Sequence, residues 1–265
     1  MKKLTCFMAA MLMAGSLSTA SAQDNFGDSL HEIIKGRLAI GFRSTYFDLT
    51  DDKKGEFRAD GSFVNGSGFL GSIVELDARQ NYMPLPYIQW FFSEYFALEL
   101  GYERLKARTV RYTDGGSDGT FKLNGPSIQA LGFLPNESAF TPFIGVGVIF
   151  FNADFDHDGL WHNGFGGGNA QENYNNWRAS GSPAWPNGGY RRNIDASNTT
   201  AYFFSFGTSY DITENIILEL FIRYMKAEVD GHFYLSRYDE IFQDSGTTTF
   251  PLDNWSGQLG IKWLF

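Results

Sequence analysis

The sequence predicts an all-β fold: an eight-stranded antiparallel transmembrane β-barrel with short periplasmic turns and long extracellular loops. Three observations carry this. Eight stretches alternate apolar and polar residues with a period of two. The connections between them alternate short and long, as they must when turns face one compartment and loops the other. The apolar faces are crowded with aromatics, which make up 17% of the 265 residues, including 26 Phe and 13 Tyr.

The chain starts with a basic Lys2-Lys3, an apolar run from Leu4 to Leu17 and a small-residue site, Ala20-Ser21-Ala22, before Gln23. That is the layout of a secretory signal peptide cut near Ala22. A membrane anchor fits less well, because the apolar run is short and ends in Ser16, Ser18, Thr19 and Ser21. Cys6, the single cysteine, leaves with the signal, so the remaining 243 residues carry no disulfide. Losing Lys2 and Lys3 takes the net charge from −9 to −11. Residues 23–36 form an N-terminal periplasmic segment. Within it Asn25 to Lys35 has helical features, with Asp28 or Ser29 as cap and Leu30, Ile33 and Ile34 on one side, and reads as a short helix or a linker.

The barrel is expected over residues 37–265. Its first strand spans Arg37 to Leu49, with Leu38, Ile40, Phe42 and Tyr46 opposing Ala39, Gly41, Arg43 and Thr45. The second, Tyr82 to Phe92, sets Ile88, Trp90 and Phe92 against Tyr87, Gln89 and Phe91. After the turn Ser93-Glu94-Tyr95, the third sets Phe96, Leu98, Leu100 and Tyr102 against Ala97, Glu99, Gly101 and Glu103. The fourth lies around Ile128 to Leu134 and the fifth around Ile144 to Phe150, joined by the short Pro135 to Thr141. Tyr202 to Tyr210 and Ile216 to Met225 flank the short Asp211 to Asn215. The last strand sets Trp255, Leu259, Ile261, Trp263 and Phe265 against Asn254, Ser256, Gln258, Gly260 and Lys262. About ten residues suffice for a strand to cross a bilayer, and a closed cylinder leaves no backbone group unpaired in lipid. A soluble sandwich or lipocalin-like barrel would show polar outer faces, not these aromatic ones.

Several classes are excluded. An acidic chain with no basic stripe is not a nucleic-acid binder. Past residue 22 no apolar run reaches 18 residues: Phe140 to Phe151 is interrupted by Thr141 and Pro142, and Ile216 to Met225 by Glu219 and Arg223, so helices do not span a membrane. No nucleophile elbow, phosphate loop or H-E-x-x-H occurs, and His31, His157, His162 and His232 fall outside the strand cores, so an enzyme is not expected.

Parity places Arg43, Gln89, Glu99, Gln129, Glu219, Arg223, Gln258 and Lys262 in a lumen that eight strands leave barely wider than its side chains. Charges there must pair. Glu219 and Arg223, four apart on one strand, share a face, with Lys262 on the neighbouring strand and Glu99 within reach. This set reads as an ion-pair gate or as a static network that fills the barrel.

Asp154-Phe155-Asp156-His157-Asp158-Gly159 matches the first six positions of a calcium loop, with Asp154, Asp156 and Asp158 as ligands, although its twelfth position is Phe165 rather than a bidentate acid. Calcium therefore competes with a solvated acidic loop. Nearby, Trp161, Tyr174, Trp177, Trp185 and Tyr190 either pack the long loop on itself or the rim, or present a surface for sugars or a partner protein.

Leu85-Pro86-Tyr87 through Trp90-Phe91-Phe92, Ala97-Leu98-Glu99-Leu100, Pro142 to Val148, and Tyr210 to Asn215 before Arg223-Tyr224 resemble the outer membrane protein W family. The resemblance covers roughly residues 84–153 and 201–265. Trp263 and the terminal Phe265 are similar to the C-terminal sorting signal read by the barrel assembly machinery. The resemblance implies a small barrel in the outer membrane of a Gram-negative bacterium, in contact with lipid, whose narrow apolar lumen passes small hydrophobic solutes; some members are also bacteriocin receptors. The chain departs from the family in its long loops, above all Asn152 to Asn198. A structural or adhesive surface barrel acting through those loops is the alternative.

Overall fold

A computed structural model of the chain describes residues 34–50, 73–80, 82–111, 116–165, 169–181, 190–237 and 242–265. The signal peptide, most of the 23–36 segment and Trp185 lie outside them. In chain order the elements are β1 (Leu38–Leu49), β2 (Ile73–Ala78), β3 (Leu85–Ser93), β4 (Phe96–Arg111), β5 (Gly119–Phe133), β6 (Phe140–His157), α1 (Gly159–His162), α2 (Ala170–Ala179), β7 (Tyr190–Ala196), β8 (Thr199–Asp211), β9 (Ile216–Lys226), β10 (Glu228–Arg237), β11 (Phe242–Pro251) and β12 (Asn254–Leu264).

Eight of these strands close a barrel in the order β3-β1-β12-β9-β8-β6-β5-β4, with β4 returning to β3. All neighbours are antiparallel. At the seam, β1 pairs with β12 from Ala39 opposite Leu264 to Leu49 opposite Asn254. Outward positions carry exposed apolar side chains, among them Phe42, Leu100, Ile144, Val146, Phe204, Leu220, Ile222, Leu259 and Ile261. On a water-soluble protein such a band would be a severe liability; facing lipid it is what spanning requires.

Strands β4, β5 and β6 run well past the stretches where alternation predicts them. From Arg104 on, the outward residues of β4 are charged (Arg104, Lys106, Arg108) while the inward Leu105 and Ala107 are buried and apolar. Strands β5 and β6 do the same, with Lys122 and Asn124, and with Asn152, Asp154 and Asp156, facing out. The apolar phase of the pattern therefore switches from the outer to the inner face where each strand leaves the lipid, which hides these halves from a search for an aromatic outer face.

Two departures from a regular cylinder matter below. The β5–β6 ladder skips Gly125 and Pro126: proline has no N–H to donate, and the backbones approach so closely that a Cβ at Gly125 would fall 1.9 Å from the Phe150 carbonyl oxygen. Strand β3 meets β1 only from Leu85 opposite Arg43 inward. Beyond that level β2 takes over the edge of β4, pairing from Ala78 opposite Ala107. Between the two, Tyr102 to Leu105 of β4 have no ladder partner on that edge among the described residues.

Above the barrel, β7, β10 and β11 form a three-stranded sheet. Its Ile194, Val229 and Phe250 continue the apolar interior of the barrel's outer half, together with Trp161 of α1.

Candidate lumenal site

The interior is built in three layers. The outer half is apolar and packed: Phe47, Leu105, Phe121, Leu123, Ile149, Phe151, Phe203 and Met225 are all buried there. Phe121 stands 4.7 Å from both Phe155 and Phe250, ring centre to ring centre. The periplasmic end holds a smaller apolar group of Ala97, Leu131, Phe133, Phe143 and Phe221. A cavity of about 210 Å³ opens there, with Phe91, Phe133 and Lys262 in its wall.

Between them lies a polar layer. All eight interior residues expected from parity are buried, none more than 7% exposed. Arg43 grips Glu99 with two hydrogen bonds, 2.7 and 2.8 Å, and reaches Glu219 at 3.4 Å. Glu219 also accepts from Lys262 Nζ at 2.6 Å and from the Tyr87 hydroxyl at 2.7 Å. The Gln89 amide donates to Glu99 at 2.7 Å and to Glu219 at 3.2 Å, and its oxygen accepts from Lys262 at 2.7 Å. The cations also lie on aromatic faces: Arg43 is 4.1 Å from the Tyr87 ring centre and 4.6 Å from that of Phe221, and Lys262 is 5.2 Å from that of Phe91.

Arg223 belongs elsewhere. Glu219 and Arg223 share a face, but Glu219 pairs with Lys262 while Arg223 donates to both oxygens of Glu103, at 2.7 and 3.2 Å. With its amide oxygen turned toward the guanidinium, Gln258 accepts from Arg223 at 2.8 Å. Gln129 stands apart, donating to Ser205 at 2.6 Å. Residues four apart on one strand are separated by more than 13 Å of rise, so a cross-barrel partner at the same height wins. The network also needs Glu103 and Tyr87, which the expected lumenal set leaves out; the signal that would have added them is their shared parity with Glu99 and Gln89. Three cations (Arg43, Arg223, Lys262) and three anions (Glu99, Glu103, Glu219) leave the layer neutral.

A water-sized cavity of about 10 Å³ adjoins this layer at the wall break, lined by Arg43, Thr45, Pro86, Tyr87, Tyr102 and Glu103. The break is bridged by side chains: the Ser44 hydroxyl donates to the Tyr82 carbonyl at 3.1 Å, and the Gln80 carboxamide accepts from the Phe47 N–H at 3.1 Å and donates to the Phe47 carbonyl. Gln80 thus completes with its side chain the pair of bonds a strand residue would make.

The acidic motif, read from the sequence either as a calcium loop or as a solvated acidic loop, straddles the end of β6 and the start of α1. Asp154 and Asp156 lie in β6, facing outward, and Asp156 pairs with Lys122 at 2.6 Å. Asp158 caps α1, accepting from the Leu160 and Trp161 N–H groups at 2.9 and 3.3 Å. An extended strand spreads these carboxylates along its length instead of wrapping them round a point. In the loop, Trp161 is buried, and Phe165, Tyr174 and Trp177 cluster with ring centres 5.5 to 5.9 Å apart. At the C-terminus, Trp263 and Phe265 are exposed, and the Phe265 N–H donates to the Leu38 carbonyl at 2.9 Å.

A closed eight-stranded antiparallel cylinder with an apolar aromatic outer band and a paired-ion interior defines a small outer-membrane-type β-barrel. Its fold is similar to the crystal structure of the outer membrane protein OprG from Pseudomonas aeruginosa (14% identity, 87% of this chain and 97% of that one, TM-score 0.59). It is also similar to the solid-state NMR structure of outer membrane protein AlkL in lipid bilayers (14% identity, 87% and 90% covered, TM-score 0.51). No protein-family model and no curated protein matches the sequence. The small eight-stranded architecture implied by the resemblance in the sequence is the one shared with these two structures.

Proposed function

We propose that the protein is an outer-membrane barrel that admits small hydrophobic solutes into the apolar outer half of its interior and keeps water and ions from crossing. The observation that carries this reading is the layering: apolar side chains above, a neutral ion-paired layer beneath. A dissolved ion gains nothing from a layer whose charges are already paired, and an apolar solute gains nothing from entering it. Apolar solutes instead have a way out at the wall break, whose outer surface carries exposed Tyr46, Tyr82 and Met83. The outer layer is packed, so passage requires its aromatic side chains to swing aside.

The test is uptake of a small apolar solute into liposomes carrying the refolded mature protein, against protein-free liposomes and a small charged solute. Selective apolar uptake is expected. Joining Ser44→Cys to Tyr82→Cys with a short thiol cross-linker should depress it, since the parent residues already touch across the break. A folded barrel that takes up neither solute overturns the channel reading. It would favour the surface-barrel reading, for which the β7-β10-β11 sheet above the mouth is the specific support.

A further inference from the structure

The outer wall carries cations in an arrangement that costs stability unless something neutralises them. Lys106 of β4 is directly opposite Lys122 of β5. On its other side, Ala107 is opposite Ala78 and the Arg79 N–H donates to the Lys106 carbonyl at 2.8 Å, so Arg79 is the cross-strand neighbour of Lys106 there. Buried Leu105 and Ala107 flank Lys106, and buried Phe121 and Leu123 flank Lys122, so both lysines face outward; Arg79 is exposed. Arg79, Lys106 and Lys122 form a row across three adjacent strands, and like charges directly opposite one another are unfavourable. Arg104 lies two residues below Lys106 on the same face.

The row is incompletely neutralised by the protein. Lys122 has Asp156 at 2.6 Å and stands directly opposite Asp154 of β6, and Arg108, one outward position above Lys106, has Asp77 at 3.4 Å, so the uncompensated charge lies on Arg79, Lys106 and Arg104. Arg104 reaches, among the described residues, only the Met83 sulfur, at 3.3 Å. Among the described residues, Arg79 and Lys106 have no carboxylate partner. This cationic row stands on a chain whose net charge is −9.

Its height identifies the occupant. Below Arg104 the outward residues of β4 are Tyr102, Leu100, Leu98 and Phe96, and the Tyr102 hydroxyl donates to outward-facing Asn124 at 2.6 Å. Ten residues at about 3.4 Å each, on a strand tilted about 40°, climb roughly 26 Å, close to the height of a barrel's apolar band. Phe96, beside the periplasmic turn, marks one edge of that band, and the row stands at the other, level with the headgroups of the outer leaflet.

We propose that Arg79, Lys106 and Lys122, with Arg104 beneath, form a binding site for the phosphate groups of an outer-leaflet phosphoglycolipid. Bridging phosphate oxygens neutralise the facing cations with charge-assisted hydrogen bonds, and the acyl chains lie against the Tyr102-to-Phe96 strip. A freely dissolved phosphate would satisfy the charges but not that strip, and a soluble protein would have to displace lipid to reach them. The inference rests on the barrel's membrane-spanning fold and is independent of whether solutes pass.

The experiment uses the mature protein in phosphatidylcholine nanodiscs doped with diphosphorylated lipid A or with its dephosphorylated counterpart. It compares wild type with the triple variant Arg79→Gln, Lys106→Gln, Lys122→Gln, reading retained lipid and thermal unfolding. Wild type should retain the diphosphorylated form at least about tenfold better, from the usual contribution of each basic residue at an anionic lipid surface, and should unfold at higher temperature with it. The triple variant should lose both effects while matching or exceeding wild type in plain phosphatidylcholine, since its facing charges are gone. If the triple variant does not fold, Lys106→Gln alone is read in the same way. Equal lipid preference in wild type and variant overturns the site. Displacement of the lipid by millimolar inorganic phosphate overturns the assignment to a lipid and leaves a simple anion site.

Discussion

Glu219 shows how strongly a single buried charge is committed in this fold. It is 1% exposed and holds Lys262, Tyr87, Gln89 and Arg43. Glu219→Ala strands the Lys262 ammonium in the interior, and urea unfolding should show a loss of about 3–5 kcal/mol. Arg223 answers to a different partner, so a double-mutant cycle on Glu103 and Arg223 should give a coupling of about 1–3 kcal/mol, whereas the cycle on Glu219 and Arg223 should stay within about 0.5 kcal/mol of additivity. A large Glu219–Arg223 coupling would contradict the geometry. The burial of all eight polar residues was legible in the sequence because parity fixes which face a strand residue occupies. Their pairing was not, because it depends on which strands oppose one another across the closed cylinder and at what height. Glycine gives a second residue-scale test. At Gly145 a Cβ would lie 2.0 Å from the Gln129 amide nitrogen and 2.6 Å from the Ser205 hydroxyl, while at Gly257 it would meet nothing within 4 Å. Gly145→Ala should cost about 1–3 kcal/mol by overpacking and Gly257→Ala should be neutral or mildly stabilising, as measured by chemical denaturation.

Among the elements, the eight barrel strands announce themselves by outward aromatics, and the three short turns between them lie where expected. Strands β2, β7, β10 and β11 are not marked in the sequence because, outside lipid, their alternation carries no aromatic outer face. One contact ties β7 to the end of β6: the Ile194 N–H donates to His157 Nε2 at 2.9 Å, so that nitrogen must be unprotonated. Burial lowers the pKa of His157, against the pull of Asp195, Asp154 and Asp156. Burial, reinforced by Arg191 and His157, also lowers that of His162, whose ring centre is 5.0 Å from His157. The folded rings resist protons that an unfolded chain would accept near pH 6.5. The packing of the β7-β10-β11 sheet on β6 is therefore at full stability above that pH and loses stability as pH falls through 6.5 toward the lower folded values. Hydrogen exchange at the Ile194 amide, corrected for its intrinsic pH dependence, should show less protection at pH 5 than at pH 7.5. His157→Gln should flatten that difference; equal protection at both pH values would refute the linkage.

For the molecule as a whole, fold class follows from the physics of lipid: strands survive there only if closed, so eight amphipathic strands with an aromatic exterior leave one architecture. What the sequence conceals at this scale is the layering of the interior, because the apolar outer half is built partly from strand extensions and loop strands that no outer-face pattern marks. The order in which such a cylinder can assemble is set by its seam. Seven of the eight strand pairings join neighbours along the barrel, but β1 must find β12, with Ala39 opposite Leu264, across the entire length of the chain. Until the last strand is present, β1 and β9 both show open edges with apolar faces, the combination most prone to aggregate. A chain truncated before Asn254 should therefore fail to give the compact, heat-modifiable band of a folded barrel on electrophoresis. The kinetic corollary is that closure, not hairpin formation, limits the folding rate, since loop entropy must be spent over more than 200 residues before the seam returns any contact energy. Both β1 and β9 thus stay open to pairing with other chains until β12 docks between them.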